Sequence, residues 1–270
     1  MPTLYVVATP IGNLDDISLR ALRTLREVKL IAAEDTRKTR HLLTTYDIKT
    51  PVTSYHEHNK WTKLGYILNR LEGEDVALVS NAGMPGISDP GYELIVAANQ
   101  RGISVVPIPG PSVVITALVI SGLPTDRFSY IGFLPHKANG RRRLLETTAD
   151  EHGTIIALES PHRLLAALND MLLILGDRRV AVCRELTKIY EEVFRGTIRQ
   201  AIEHFTEPRG EFTLVIEGKR ERDKPQLTED IERQLHHMRL SGIAAKEAIA
   251  KVAGETGLPK KELYQAWLRL

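Results

Sequence analysis

The chain has 270 residues, 43% of them hydrophobic and 26% charged, with 36 basic and 34 acidic side chains for a formal net charge of +2. That is the composition of one large or two modest globular domains. It excludes a disordered chain, a collagen and a coiled coil, and the longest apolar run, Val113–Ile120, is far short of the ~18 residues that span a bilayer. The N-terminus, Met1-Pro2-Thr3-Leu4-Tyr5, lacks the basic region of a signal peptide and runs straight into a strand pattern. The single cysteine, Cys183, sits in an apolar run and reads as a buried small hydrophobe. Both features point to the cytoplasm. With the net charge this close to zero, the distribution of the basic residues matters more than their sum.

In chain order, Leu4–Ala8 reads as a strand leading into Thr9-Pro10-Ile11-Gly12-Asn13. Ile17, Ala21, Leu22, Leu25 and Val28 form a helical stripe, with Asp15 or Asp16 placed to cap it. The apolar pair Leu30-Ile31 precedes Glu34-Asp35-Thr36-Arg37-Lys38-Thr39-Arg40-His41. Acids directly after a buried strand tend to sit at a ligand-binding edge. Tyr55-His56-Glu57-His58-Asn59 sets two histidines at i and i+2, but no further ligand lies near in sequence and no metal is expected. Leu64, Ile67, Leu68 and Leu71 mark a second helix, and Val76–Val79 a strand that enters a glycine- and proline-rich loop. A helix over Tyr92–Arg101, a strand over Ile103–Ile108 and a helix over Ser112–Ser121 follow.

Ser121-Gly122-Leu123-Pro124-Thr125-Asp126 reads as a hinge. Beyond it, strands over Ser129–Leu134, Ile155–Leu158, Val180–Cys183 and Phe212–Ile216 are interleaved with helices over Arg141–Thr148, Pro161–Leu175 and Thr197–Phe205. This alternation predicts an α/β protein with largely parallel sheets, divided into α/β domains over 1–121 and 122–218. A charged linker, Gly218–Pro225, then leads to a helical module over 225–270, with helices at Ile231–Leu240, Ala244–Val252 and Lys260–Leu270. Three short helices with tight turns resemble a helix-turn-helix module, and a packing or dimerisation appendage is the alternative. From Lys219 onward there are eleven basic and eight acidic residues, a mildly basic balance.

Two stretches concentrate chemistry. Asn81–Gly91 packs Gly83, Gly86, Gly91, Pro85 and Pro90 after a buried strand. Glycines permit close backbone approach and prolines stiffen the result. No Walker lysine and no Gly-x-Gly-x-x-Gly is present, so the loop suits a small, mostly uncharged cofactor held by main-chain groups rather than a phosphate cradle. Asp89, ahead of Pro90-Gly91, is placed to cap the next helix. Gly140-Arg141-Arg142-Arg143, with Lys137 nearby, is the sharpest basic cluster. A helix N-terminus favours acids, so three arginines there suggest phosphate contacts.

Together these residues resemble the tetrapyrrole-methylase-like superfamily of S-adenosylmethionine-dependent methyltransferases, in particular its branch that modifies small-subunit ribosomal RNA. The resemblance rests on Val7–Leu14, Glu34–Arg37, Ser80–Gly91, Pro109–Ser112, Gly132–Pro135, Glu159–Arg163, Arg184–Lys188 and Gly210–Thr213, in order and nearly end to end. Each is weak alone; the set is specific. The tail matches through Ala244–Ala248 and Leu263-Tyr264. One departure stands out: the family loop commonly reads Asp-Ala-Gly-Thr-Pro, and here it reads Asn81-Ala82-Gly83-Met84-Pro85.

The resemblance implies two α/β domains with a cofactor cleft between them, a helix-turn-helix-like extension and a homodimer. It implies S-adenosylmethionine-dependent 2′-O-methylation of a cytidine in the decoding region of 16S ribosomal RNA. It places the cofactor on Pro10, Ala82, Gly83, Met84, Ile87, Ser112, Val113, Leu186 and Thr213. For proton removal the candidates are Lys188 beside Glu185, if burial lowers its pKa, then Asp35 and His58. For RNA phosphates they are Arg37, Arg141, Arg142, Arg143 and Arg163. A tetrapyrrole methylase and a non-catalytic ribosome-binding protein are the competing readings.

Overall fold

The structure, a computed structural model, describes residues 2–219 and 227–269. Two compact units emerge, Met1–Gly218 and Lys219–Leu270.

The first unit opens with β1 (Thr3–Val7), α1 (Leu19–Glu27), β2 (Leu30–Ala33), α2 (Thr36–Thr45), β3 (Val52–Ser54), α3 (Lys60–Arg70), β4 (Val76–Val79), α4 (Tyr92–Gln100), β5 (Ser104–Ile108) and α5 (Val113–Ser121). The strands form one parallel sheet in the order β3-β2-β4-β1-β5. Side chains alternate across a strand, so each face takes every second residue. Leu4 and Val6, Leu30 and Ala32, and Val76 and Leu78 pack with α3 and α4 through Ile67, Leu71 and Leu94. Val7, Ile31 and Ala33, and Ala77 and Val79 pack on the other face with α1 and α2 through Leu22, Leu25 and Leu42. A sheet covered on both faces needs uninterrupted apolar strands, which is why these runs look continuous in the sequence.

Ser18, not Asp15 or Asp16, caps α1: its side chain accepts from the Ala21 amide, and the two aspartates lie in a short 3-10 turn. Only Ser18 has the extended backbone that an N-cap requires.

The second half comprises β6 (Phe128–Phe133), α6 (Ala138–Thr148), β7 (Thr154–Glu159), α7 (Leu164–Leu175), β8 (Arg179–Arg184), β9 (Glu192–Thr197), α8 (Ile198–His204) and β10 (Phe212–Ile216). Its sheet runs β6-β7-β10-β8-β9. Here the expectation of a parallel sheet fails: only β6 and β7 are parallel, and the other three pairings are antiparallel. β8 turns back directly into β9, and a hairpin can only be antiparallel. β9 escaped the sequence reading because no residue in it is fully buried, so its apolar signal is weak. One face of this sheet packs on α6, α7 and α8. The other meets α5, where Val114, Ala117 and Leu118 join Ile156, Ala181, Cys183 and Val215. A largely apolar α5 thus ties the two sheets into one unit. Cys183 is buried there, and burial pushes its thiol up to about 12.

The second unit holds α9 (Glu229–Leu240), α10 (Ala245–Thr256) and α11 (Lys260–Arg269). Leu235, Ile249, Val252, Leu263 and Trp267 form its core. The last turn of α10, read from the sequence as a connection, is helical as far as Gly257, which ends it in the left-handed conformation. The expected linker lies beyond Lys219 outside the described residues. No helix among the described residues is long and apolar enough to cross a membrane.

Candidate active site

The first site elements are the loops at the carboxyl ends of β1 and β4, where open parallel sheets bind ligands. They grip each other: Thr9 and Gly83 exchange two main-chain hydrogen bonds of 2.9 Å each. Gly83 holds φ +75°, a conformation in which a side chain is strained. The Thr9 hydroxyl donates to the Ser80 carbonyl at 3.1 Å. Beside this clamp lies a cavity of about 260 Å³, lined by Thr9–Gly12, Ser80–Ala82, the α2 residues Lys38, Thr39 and His41, and Lys188 and Glu211 from the second half. Of the residues expected to hold a cofactor, Pro10 and Ala82 line this space and Gly83 braces it.

The far wall is the turn Glu185–Lys188. Glu185 and Thr187 have φ of +50° and +65°, the costly left-handed region for side-chain-bearing residues. Surrounding contacts over-determine the turn. Glu185 donates its amide to the Glu211 carbonyl at 3.0 Å, and Glu211 returns its own to Glu185 Oε1 at 2.8 Å. The Asn13 amide donates to Thr187 Oγ1 at 2.9 Å. Gly12 lies so close that an added Cβ would sit 2.6 Å from Lys188 Cγ and 2.8 Å from the Leu186 carbonyl. The turn projects Lys188 Nζ between Glu185 at 3.0 Å and Glu211 at 2.8 Å.

That geometry removes the condition on which Lys188 was a base. Burial does lower the ammonium's pKa, but the hydrogen bonds to Glu211 and Glu185 outweigh it and the net shift is upward. A lysine held charged attracts anions and takes no proton at neutral pH. Asp35 caps α2 through the Arg37 amide at 2.8 Å and also binds the Arg37 side chain. The Arg37 side-chain bond, then its amide, hold the Asp35 carboxyl down at about 2, a weak base. His58 follows the edge strand β3, is exposed, and lies outside the cavity lining.

Other predicted residues sit nearby but face apolar neighbours. Val113 and Leu186 belong to the core between α5 and the second sheet. Thr213 is buried on β10 between Leu158 and Cys183. Met84 packs under its loop against the α3–α4 core, whereas Ile87 is exposed and Ser112 stands at the N-cap position of α5 without a side-chain bond to it.

The arginines separate sharply. Arg141 points inward, 5% exposed, with Nε 2.8 Å from Asp170. Arg142 binds the other oxygen of Asp170 at 2.7 Å. Arg163 pairs with the buried Glu159 and donates to the Leu134 carbonyl at 3.0 Å. Arg141 and Arg163 are therefore structural, a correction to their reading as phosphate contacts. Arg143 and Arg37 remain exposed. Among the described residues no group of three or more His, Cys, Asp or Glu side chains is arranged to hold a metal ion.

Beside the cavity the fold pairs two acids that the sequence reading keeps apart, Glu34 at a ligand-binding edge and Asp89 as a helix cap. Glu34, after β2, accepts the Asn81 amide at 2.9 Å. Asp89 lies near Glu34 and Ser80, and burial first, then the Glu34 charge, raise its carboxyl to about 7. Asp89 does not cap α4, whose N-cap is Gly91 with no side-chain bond. The available signal was the loop's density of glycine and proline, which marks a backbone bent to place a side chain.

Comparison with known proteins agrees with this architecture. Residues 3–202 match the family model of Tetrapyrrole (Corrin/Porphyrin) Methylases. A ribosomal RNA small subunit methyltransferase I from Halalkalibacterium halodurans is 51% identical over 98% of this chain and 94% of its own length. The protein of that name from Synechocystis is 49% identical over 100% of this chain and 99% of its own. The chain belongs to the ribosomal RNA small subunit methyltransferase I family of tetrapyrrole methylases. Solved structures of diphthine synthase and of uroporphyrin-III-C-methyltransferase from Thermus thermophilus share the fold of this methylase. Their TM-scores are 0.66 and 0.58, each over 80% of this chain and over 90% and 94% of theirs, at 14% and 19% identity.

Proposed function

We propose that this methylase transfers a methyl group from S-adenosylmethionine to the ribose 2′-hydroxyl of a cytidine in the decoding region of 16S ribosomal RNA, as a cytoplasmic homodimer with α/β domains over 1–121 and 122–218. The observation that carries the reading is the near-full-length identity to relatives named for small-subunit ribosomal RNA.

The cavity fits the cofactor. Asn81 Oδ1 is buried without a hydrogen-bond partner, an acceptor beside the loop pair that suits an ammonium or a hydroxyl of a bound molecule. Pro10, Ala82 and Gly83 would hold the cofactor through main-chain groups and close approach, so the loss of charge at Asn81 is tolerated. S-adenosylmethionine supplies an electrophilic methyl group on a sulfonium. The chain's own task is to fix the acceptor hydroxyl in line and to remove its proton. Lys188, kept cationic, together with exposed Arg37 and Arg143, would anchor phosphates around the target ribose.

The test is transfer of a tritiated methyl group to small ribosomal subunits, with uroporphyrinogen in a parallel reaction. Label in RNA, lost when the target 2′-hydroxyl is replaced by hydrogen, is expected. Label in the tetrapyrrole, or cofactor binding without transfer, overturns the reading.

A further inference from the structure

The proposed reaction needs a group that accepts a proton near neutral pH, and the three side chains first considered do not supply one. Lys188 is held charged, Asp35 is a weak base, and His58 stands exposed beyond the edge strand β3. The loop between β4 and α4 offers another. Its ends close on each other: a Cβ on Gly91 would sit 3.1 Å from the Gly86 amide and 3.0 Å from Leu78. Residues 87–90 therefore form the tip of a loop closed at its base. Ser88, at φ +61°, shares a 2.7 Å hydrogen bond with the Tyr130 hydroxyl, so the tip reaches from the first sheet to β6 of the second. Asp89 sits on this bridge with part of its surface still open. It is flanked by Glu34 from the end of β2, Ser80 from the end of β4 and Tyr130 from β6. Ser80 also lines the cavity, and Glu34 holds the amide of its neighbour Asn81.

We propose that Asp89 is the catalytic residue that accepts the proton of the acceptor hydroxyl, with Glu34, which holds the Asn81 amide, as its neighbouring carboxyl. This rests on the methyltransferase reading above. In the step, the hydroxyl O–H bond breaks and its proton passes to the Asp89 carboxylate. The oxygen electron pair forms the new O–C bond, and the pair of the methyl–sulfur bond leaves with sulfur, turning a sulfonium donor into a neutral thioether. Two neighbouring carboxyls whose surroundings separate their affinities for a proton are a recurrent way of providing a base near neutrality. Glu34 is occupied by the Asn81 amide. Asp89 is the desolvated member, and burial and the Glu34 charge both raise it, while the Ser80 hydroxyl opposes them. Tyr130 faces it as a neutral phenol whose own pKa is raised, first by burial.

The experiment is the pH profile of single-turnover methyl transfer, paired with thermal melting of the free protein over the same range. Wild type should show an acidic limb centred near pH 7, and Asp89→Asn should lose that limb with a ~10²–10⁴-fold fall in rate, the range for a removed general base. Asp89→Glu should restore part of the rate and keep a limb. Glu34→Gln, which retains an acceptor for Asn81, should move the limb to lower pH. Melting gives an independent readout. A carboxyl raised in the folded state contributes stability that is full at acid pH and lost as pH rises through about 7. Wild type should thus lose Tm relative to Asp89→Asn between pH 5 and 8. An Asp89→Asn protein with the wild-type limb, or a Glu34→Gln limb that does not move, overturns the assignment while the methyltransferase reading stands. Absence of transfer to ribosomal RNA by wild type at every pH removes both.

Discussion

Two clusters of opposite charge in the second half of the first unit carry different duties. Around Asp170, Arg141 and Arg142 close an ion pair with both aspartate and Arg141 6% exposed at the side chain. Around Lys188, Glu185 and Glu211 hold an ammonium that is 29% exposed and lines the cavity. In sequence, the arginine run looked like the ligand site and the lysine like a base. In the fold, the first joins α6 to α7 and the second stays charged at the cavity wall. Burial decides: a desolvated charge must be neutralised inside the protein, whereas a wall-side charge can still meet a ligand.

The largest effect should come from breaking the buried cluster. Asp170→Ala leaves Arg141 buried without its partner and should cost about 3–5 kcal/mol by urea denaturation. The same site sets a pH dependence. Burial would raise the Asp170 carboxyl, but bonds from Arg142 and Arg141 outweigh it and hold it below its usual value. Its stabilisation is complete above the unfolded carboxylate range and is lost as pH falls through the folded value. Asp170→Asn should therefore flatten the acid limb of stability measured between pH 5 and 2.

Gly12→Ala should fall next, at about 1–3 kcal/mol, because the added methyl meets the Leu186 carbonyl and Thr187 as well as Lys188. Calorimetric cofactor titration should show affinity reduced at least ~10-fold, since the cavity wall itself must shift. Equal affinity would mean that the 185–188 turn is not part of the pocket.

Lys188→Ala should invert the pattern of Asp170→Ala. Folding stability should change by less than about 1 kcal/mol, as for partly exposed pairs. The rate of methyl transfer should drop at least ~10-fold, with Lys188→Arg recovering most of it. The smallest effect belongs to Arg143→Ala. An exposed side chain away from such features should move stability by no more than ~0.5 kcal/mol. Filter binding across a salt series should show the slope of RNA affinity reduced by about 1. An unaltered slope would remove Arg143 from the interface.

Much of the fold was legible in the sequence because two patterns were. The continuous apolar runs of β1, β4, β7, β8 and β10 mark strands covered on both faces, and the stripes of α1 and α3 follow a repeat of 3.6. α2 was not read, since Thr36–His41 supplies no buried stripe until Leu42 and Leu43. The glycine- and proline-rich loop was recognisable as a ligand edge, because such backbone geometry is written in residue type. Lys38, Thr39 and His41 were missed for lack of that signal: their membership of the cavity comes only from where α2 packs.

By itself, then, the sequence determined the strands, the helices and the loops at which a ligand would sit, all local consequences of side-chain pattern and backbone restriction. Only the tertiary structure decided which charges are available. Arg141 and Arg143 are two positions apart on one helix, yet one is sealed against Asp170 and the other faces water. Asp35 and Asp89 are the same residue after strands of the same sheet. Hydrogen bonds from Arg37 hold one carboxyl at about 2, and burial beside Glu34 lifts the other to about 7. Proton affinity and ion pairing depend on what lies within a few ångströms through space, and that distance is set by packing between segments far apart in the chain.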